Sequence, residues 1–307
     1  TISCISVHFN NDQVYAAISD TDGCVKVWDL NRKRIVKDLQ NSSNKRIIYS
    51  NYINSTREIL MCTKKEVLVF DLESCILSHN ISIQNIQLVA YEDTTKLLAI
   101  AHSDNILNMY CYDKEFNSID KIIISCKKIE CLQFTENGKF LIIRGKGNCF
   151  YKYDTRSNIL KKLSFSIYQE GAVPRIISLS GNNIIYTTSP HNEAIKTFDV
   201  LNEEELPEIK INLRKTRYSE IENDRKTYLS GNAVCHSYKK SNYLSLTGGQ
   251  VYKLNEYKNE YDLFLTKKGY FLPRLFLSNH AKFLAIVPDN NFPVIQIYEE
   301  QSQRHLF

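Results

Sequence analysis

Glycine is scarce in this sequence, and the loops that bind phosphate or present a catalytic serine depend on it. The 307 residues include only 10 Gly, and no Gly-x-Gly-x-x-Gly, Walker loop or Gly-x-Ser-x-Gly elbow is present. Arg144-Gly-Lys-Gly147 has the composition of a phosphate loop, but it falls where a tight turn between two strands is expected. These absences exclude the common nucleotide-binding and hydrolase motifs, and they predict a protein that is not an enzyme.

Metal-ligand spacings are missing as well. The nine Cys include no Cys-x-x-Cys pair, and the seven His include no His-x-x-x-His pair. The scattered Cys are typical of reduced thiols in an intracellular protein, where a buried Cys behaves as a small apolar residue. We therefore predict no metal site and no cofactor.

Long apolar runs and a signal peptide are also absent. No stretch approaches the roughly 20 apolar residues of a membrane-spanning helix, and the N-terminus lacks the charged and apolar regions of a secretion signal. We therefore expect an intracellular location, nuclear or cytoplasmic. The sequence begins at Thr1, and we expect it to be a trimmed or processed piece of a longer chain. The net charge of +5 permits an acidic partner, a nucleic acid or an anionic membrane and demands none of them.

Strand-forming residues are plentiful, and one short pattern repeats. The chain contains 19 Tyr and 14 Phe, which favour strands. Ser19-Asp-Thr-Asp-Gly-Cys-Val-Lys-Val-Trp-Asp-Leu30 combines a turn with an alternating strand that ends in Trp28-Asp29. The aromatic position of this ending recurs at Trp28, Phe70, Tyr112, Tyr153, Phe198, Tyr252 and Tyr298. Successive differences are 42, 42, 41, 45, 54 and 46 residues, close to the roughly 40–45 residues of a four-stranded propeller blade.

The strands before this ending are visible in several repeats. Residues 129–134 and 139–143 flank a Thr-Glu-Asn-Gly turn, and residues 274–277 and 282–287 form a similar pair. The second strand of each pair is almost continuously apolar, which predicts a strand covered on both faces. The Asp residues that end most third strands (Asp29, Asp71, Asp113, Asp154 and Asp199) are predicted to accept hydrogen bonds from local backbone.

These repeats resemble the WD-repeat family. Trp28, Ser19 and either Asp22 or Asp20 match three members of the family's hydrogen-bonded set, whereas no Gly-His pair precedes any inner strand. The resemblance covers essentially the whole chain and is good only in the first repeat. It implies an all-β fold, a seven-bladed β-propeller of four-stranded antiparallel blades, formed by residues 1–307 as a single domain. Six or eight blades are the alternatives, and residues 303–307 are expected to be the outer strand of the seventh blade unless a missing segment or a partner closes the ring.

The longest interval between repeats contains an irregular charged insertion at about 201–230. Its acidic start, Asn202-Glu-Glu-Glu-Leu-Pro207, is followed by five basic residues: Arg214, Lys215, Arg217, Arg225 and Lys226. A solvated loop is one interpretation, and the functional one is a partner-binding or anion-binding loop. Smaller basic pairs at Lys127-Lys128, Lys161-Lys162, Lys239-Lys240 and Lys267-Lys268 are interpreted as protection of blade edges against strand addition.

The resemblance implies a non-enzymatic protein-interaction scaffold, a subunit of a eukaryotic multiprotein complex, and the basic balance favours a nuclear or ribonucleoprotein setting. One alternative is a phosphoinositide-binding propeller, although Leu213-Arg-Lys-Thr-Arg217 stands where that group carries Phe-Arg-Arg-Gly. The other is direct RNA or DNA binding through the charged loop, where Glu220, Glu222 and Asp224 dilute the positive charge. The partner, the pathway and the binding face are not encoded in any recognisable motif.

Overall fold

The computed structural model describes residues 2–10, 13–20, 22–40, 45–53, 55–113, 115–146, 149–164, 178–179, 184–188, 194–211, 234–238, 241–246, 250–255, 257–258, 260–266, 274–277, 283–287, 296–299 and 304–305. Most of these residues lie in β-strands, and the 3₁₀-helix Glu136–Gly138 is the one helical element among them. No helix in this part of the chain is long and apolar enough to cross a membrane. The chain divides into two compact units, Thr1–Lys161 and Lys162–Phe307.

The first unit is built from four blades, each a sheet of four consecutive antiparallel strands. Blade 1 contains β1 Ile2–Asn10, β2 Gln13–Asp20, β3 Cys24–Asp29 and β4 Arg34–Gln40. Blade 2 contains β5 Tyr49–Ile53, β6 Glu58–Cys62, β7 Glu66–Asp71 and β8 Leu77–Ser82. Blade 3 contains β9 Ile86–Glu92, β10 Leu97–His102, β11 Ile106–Asp113 and β12 Glu115–Ile123. Blade 4 contains β13 Ile129–Phe134, β14 Phe140–Gly145, β15 Cys149–Asp154 and β16 Ile159–Leu163, in which the boundary between the units falls.

The second unit contains three further sets of four strands. Blade 5 contains β17 Ser178–Leu179, β18 Ile184–Thr188, β19 Ala194–Asp199 and β20 Glu204–Ile211. Blade 6 contains β21 Val234–Tyr238, β22 Ser241–Leu246, β23 Gln250–Asn255 and β24 Glu260–Thr266. Blade 7 contains β25 Arg274–Leu277, β26 Phe283–Val287, β27 Gln296–Glu299 and β28 Arg304–His305. The outer strands β20 and β24 pair in parallel, which joins blades 5 and 6 into one eight-stranded sheet.

The predicted fold class is confirmed: the chain is a β-propeller of four-stranded antiparallel blades. The seven aromatic repeat positions all lie on third strands (β3, β7, β11, β15, β19, β23 and β27). Seven sets of four strands among the described residues are consistent with the predicted seven blades. Of the C-terminal residues 303–307, the described residues 304–305 form β28, which pairs with β27 as the outer strand of blade 7, as expected, and the other three lie outside the described residues.

The apolar second strands lie in the core of the first unit. Residues 59–62 of β6, 97–101 of β10 and 140–143 of β14 are all buried. Consecutive burial along a strand requires cover on both faces, and it is supplied by the neighbouring blades. Ala99, Leu107, Leu141 and Tyr153, for example, belong to one cluster shared by blades 3 and 4. The first strands β1, β5, β9 and β13 follow one another side by side along the inner edge of the unit.

The aspartates at the ends of the third strands are turn acceptors, as predicted. Asp29 Oδ1 accepts a hydrogen bond from the Arg32 amide, and Asp71 Oδ1 accepts one from the Ser74 amide. Asp154 and Asp199 each accept two amide hydrogen bonds in the same way. These bonds hold the pKa of Asp71 and of Asp154 below the usual range. Asp113 differs, because its Oδ1 pairs with Lys96 Nζ at 2.6 Å.

Candidate interaction surface

One end of the first unit is assembled from two kinds of loop. Within a blade of antiparallel strands, the turn between the second and third strands and the connection to the next blade lie at the same end. The described residues of three such connections (45–48, 83–85 and 124–128) and of the turns that follow β2, β6, β10 and β14 therefore share this end. We call it the connection face, and the end with the remaining turns the turn face.

The connection face carries six exposed cationic side chains. They are Arg46, Lys64, Lys65, Lys127, Lys128 and Lys146, which we call the basic set. None of the six forms an ion pair with an acidic residue that the structure describes. Two acids of this face, Glu66 and Glu130, are already paired with other cations: Lys45 at 2.7 Å and Arg144 at 3.3 Å. Exposed Asp22 and Asp104 lie in turns at the same end, but the six cations outnumber them, so the face carries a net positive charge.

The turn face is different in its electrostatics. Some of its carboxylates are held by local backbone amides or by cations beside them, as at Asp29 with Arg32 and Asp113 with Lys96. Glu92 is occupied by the amide and hydroxyl of Thr95 at 2.6 Å each. Other acids of this end, such as Glu73 and Glu115, are exposed, so the turn face is less attractive to an anion than the connection face.

A cavity of about 400 Å³ opens among the loops of the connection face. Ile48, Ile86, Leu88 and Ile129 supply an aliphatic lining, Lys64 and Lys128 contribute two members of the basic set, and Gln87, Glu130 and Arg144 complete it. The Arg144 and Glu130 side chains are 12% and 26% exposed, so their ion pair is a partly buried wall of the cavity. An aliphatic lining beside ammonium groups suits a ligand that combines an apolar group with an anionic one.

The fixed backbone of the connection before β13 positions Lys127 and Lys128. The Lys146 amide donates to the Lys128 carbonyl at 2.7 Å, and Asn105 Nδ2 donates to the Cys126 carbonyl at 2.7 Å. Asn105 has a φ of 61°, a left-handed conformation that asparagine tolerates better than most residues. The turn of blade 3 and the turn of blade 4 therefore both hold this connection in place.

Several residues singled out in the sequence are now placed. Asp20, rather than Asp22, is the acceptor in the first turn: its Oδ1 takes the amides of Asp22 and Cys24 at 2.9 Å each. Arg144-Gly145 ends β14 and Lys146 lies in the following turn, in line with the turn interpretation, whereas Gly147 lies outside the described residues. Among the described residues no three His, Cys, Asp or Glu side chains are grouped so as to hold a metal ion.

The structure describes only some of the basic residues that the sequence singled out, and it supports the edge-protection interpretation for some of these and not for others. Arg214, Lys215, Arg217, Arg225 and Lys226 lie outside the described residues, as do Lys239-Lys240 and Lys267-Lys268. Within the insertion at 201–230, residues 204–211 form strand β20. Lys161 and Lys162 lie exposed on the outer strand β16, as edge protection requires. That explanation is wrong for Lys127 and Lys128, because they lie in a connection and not on an edge strand.

The family of the chain follows from a direct match. The model of the NWD2 C-terminal beta-propeller family matches residues 2–223, well over half of the sequence. The chain belongs to this family. The resemblance to WD-repeat propellers is thereby confirmed, and the structural neighbours agree with it.

One curated relative is similar over a short segment. The tRNA (guanine-N(7)-)-methyltransferase non-catalytic subunit wuho of Aedes aegypti is 33% identical over 92 residues. The match spans 27% of this chain and 22% of that protein's length. That relative is thus named as a non-catalytic subunit of a complex.

Three solved structures share the fold. U3-55K superposes with a TM-score of 0.70 at 10% identity, over 94% of this chain and 89% of that one. The Cps50 (Swd1) propeller domain of Myceliophteria thermophila gives 0.69 at 14% identity, over 96% and 95%. The dihydro-heme d1 dehydrogenase NirN gives 0.67 at 12% identity, over 100% and 66%. At these identities the likeness shows the fold alone.

Proposed function

We propose that this propeller is a non-enzymatic scaffold subunit of a multiprotein complex, and that its connection face binds an acidic segment of a protein partner. The observation that carries the proposal is the basic set around an aliphatic cavity. Six exposed cations without described acidic partners attract an anionic segment, and the cavity offers a place for an aliphatic side chain beside the carboxylates.

A protein partner fits this face better than a single-stranded nucleic acid. Sites for single-stranded nucleic acid commonly stack bases on aromatic side chains, whereas the described lining of the cavity is aliphatic. Ile123, at the end of β12 next to the connection that carries Lys127, is 74% exposed and adds apolar surface. Mixed apolar and cationic contacts are typical of protein interfaces that recognise acidic motifs.

The proposal extends to the setting of the complex. We propose that it works in the nucleus or cytoplasm of a eukaryotic cell, with a nuclear or ribonucleoprotein setting favoured, and the non-catalytic subunit named above supports a role without chemistry. Residues 1–307 are proposed to form one propeller domain. The basic residues at 214–226 are proposed as a second contact with the partner, and phosphoinositide or nucleic-acid binding are the alternatives that the experiment must separate.

The test measures the binding of three probes to the wild-type protein, to a charge-reversed variant and to a control variant. The probes are a fluorescent peptide that alternates Glu and Leu, vesicles that contain phosphatidylinositol phosphates, and a single-stranded RNA of mixed sequence. The variant is K64E/K65E/K127E/K128E, and its matched control is K161E/K162E, which reverses an exposed Lys pair on the outer strand β16. We expect the peptide to bind and the charge-reversed variant to lose at least about tenfold in affinity, roughly 1.4 kcal/mol, while the control is unchanged.

Two outcomes would contradict the proposal. Binding of vesicles or RNA without binding of the peptide would replace the protein partner by a lipid or a nucleic acid. Equal peptide affinity for the variant and the control would place the binding site elsewhere on the chain.

A further inference from the structure

Cys126 and Cys149 converge over one glycine at the rim of the connection face. Cys126 lies in the connection between β12 and β13, and Cys149 begins β15, where it pairs with Gly145 of β14. A Cβ atom placed on Gly145 would lie 2.6 Å from Cys126 Cβ, 2.9 Å from Cys126 Sγ and 2.7 Å from Cys149 Sγ. The sum of the last two distances is the upper limit of the separation between the sulfurs. The missing side chain of Gly145 is therefore what allows the two thiols to approach each other.

The backbone around Cys126 is fixed by its neighbours. Its carbonyl accepts a hydrogen bond from Asn105 Nδ2 at 2.7 Å, and its amide donates to the Ile124 carbonyl at 2.8 Å. The Tyr151 hydroxyl donates to the carbonyl of Ser125. Cys126 is thus held in place by blade 3 on one side and by blade 4 on the other.

Cys149 is positioned by the turn that precedes it. Its Sγ donates to the Lys146 carbonyl at 3.5 Å, and the Lys146 amide in turn donates to the Lys128 carbonyl at 2.7 Å. Both cysteines are free thiols and both are partly exposed. Side chains that are already close and held by a rigid scaffold react as if at a very high local concentration.

We propose that Cys126 and Cys149 form a dithiol site that a peroxide oxidises to an intramolecular disulfide. One thiolate attacks a peroxide oxygen, the O–O bond breaks, and a sulfenic acid and water are formed after protonation. The second thiolate then attacks the sulfenic sulfur, the S–O bond breaks, and a second water leaves. The two thiols lose two electrons in total and the peroxide gains them. The bond joins the connection before β13 to the first residue of β15.

The thiolate is the form of a cysteine that attacks a peroxide. Burial raises the pKa of the Cys126 thiol, and the neighbouring Cys149 adds to the effect. Because the fraction of Cys126 thiolate grows with pH, we expect oxidation to accelerate as the pH rises above neutrality.

Peptide mapping of the intact chain tests the site. Trypsin cuts after Lys121, Lys127, Lys146 and Lys152, so the two cysteines fall in separate peptides, 122–127 and 147–152. After treatment with hydrogen peroxide, alkylation of the remaining thiols and digestion without reductant, mass spectrometry is expected to find these two peptides joined, with two hydrogens lost. Addition of dithiothreitol is expected to return both as separate peptides.

Serine variants control for other thiol reactions. C126S and C149S are each expected to lose the joined peptide entirely, whereas C75S is expected to retain it, because Cys75 is an exposed thiol in another blade. The result on the unmodified chain decides the question even if a variant fails to fold. Recovery of 122–127 and 147–152 as separate alkylated peptides, after a treatment that oxidises Cys75, would overturn the proposal. So would a disulfide from either cysteine to Cys131 or Cys75.

Discussion

The Tyr112 hydroxyl donates a hydrogen bond to Glu58 Oε2 at 2.8 Å, and this bond joins blade 3 to blade 2. Tyr112 is the aromatic repeat residue of β11, and Glu58 begins the second strand of the preceding blade. The next blade repeats the arrangement, because the Tyr153 hydroxyl donates to Asp120 Oδ2 of blade 3 at 2.8 Å. In blades 3 and 4 the aromatic position that marks the repeat therefore also fastens the blade to its predecessor.

The first prediction removes this bond. Tyr112 is 2% exposed, and its ring packs edge-on against His79 with a centroid separation of 5.6 Å. The change Y112F keeps the ring and deletes the donor, and we expect it to lower the free energy of unfolding by about 1–2 kcal/mol. Urea denaturation measures the loss. The matched control is Y110F, whose hydroxyl makes only a 3.4 Å contact with Asn108 and which we expect to cost less. Equal losses from both variants would contradict the account.

A second prediction concerns alkaline pH. Burial raises the pKa of Tyr112 and of Tyr153, and the hydrogen-bonded carboxylates Glu58 and Asp120 raise each further. The folded state therefore retains these protons above the unfolded pKa of about 10, so the stability they contribute is complete below that pH and is lost as the pH rises beyond it. Urea midpoints between pH 8 and 11.5 are expected to fall above pH 10, and less steeply in Y112F/Y153F. A double variant with the unaltered slope would argue against this linkage.

A third prediction tests the close contact between blades 3 and 4 at Gly138. Gly138 has a φ of 62°, and a Cβ there would lie 2.3 Å from Thr95 Oγ1. Thr95 has no room to move away, because Glu92 Oε2 holds both its amide and its hydroxyl at 2.6 Å. We expect G138A to destabilise the protein by about 1–3 kcal/mol, measured by thermal unfolding. N137G is the control: Asn137 is exposed with a φ of 63°, and its replacement is expected to change little. A neutral G138A would show that the blades tolerate a wider separation.

The fourth prediction raises the positive charge of the cavity. Glu130 neutralises part of the Arg144 charge in the cavity wall at 3.3 Å. E130Q keeps the shape and removes the negative charge, so we expect the acidic peptide to bind roughly two- to fivefold more tightly, about 0.5–1 kcal/mol. Fluorescence anisotropy at low and high salt measures the gain, which salt is expected to reduce. E115Q, an exposed acid at the turn end of β12, serves as the matched control. A weaker affinity of E130Q for the acidic peptide would contradict binding beside Arg144.

Local sequence patterns were sufficient to predict most of the strand order. The aromatic and Asp endings mark third strands because the pattern is local, and the apolar runs at 97–101 and 140–143 mark second strands because covered strands lack alternation. The turn role of Asp29 and its equivalents also follows from residue type alone.

The basic set was not predictable in this way. Lys64, Lys127 and Lys146 come from different blades and are separated by many residues, so no window of sequence contains them. They share one end of the first unit only because a second-to-third-strand turn and a connection between blades lie at the same end. The pair Lys127-Lys128 was attributed to an edge strand because its composition matches that of Lys161-Lys162. The two pairs differ in whether they lie on an outer strand, and a short window of sequence does not encode which strands pair with each other.

The most direct test of the proposed role is a quantitative affinity purification from cells with the charge-reversed chain. Wild type, K127E/K128E and the control K161E/K162E are expressed at equal levels, and co-purified proteins are quantified by mass spectrometry. The account predicts at least one partner in near-stoichiometric amount with wild type and the control, reduced at least about tenfold with K127E/K128E. The same partner at equal amount with all three chains would contradict binding through the connection face.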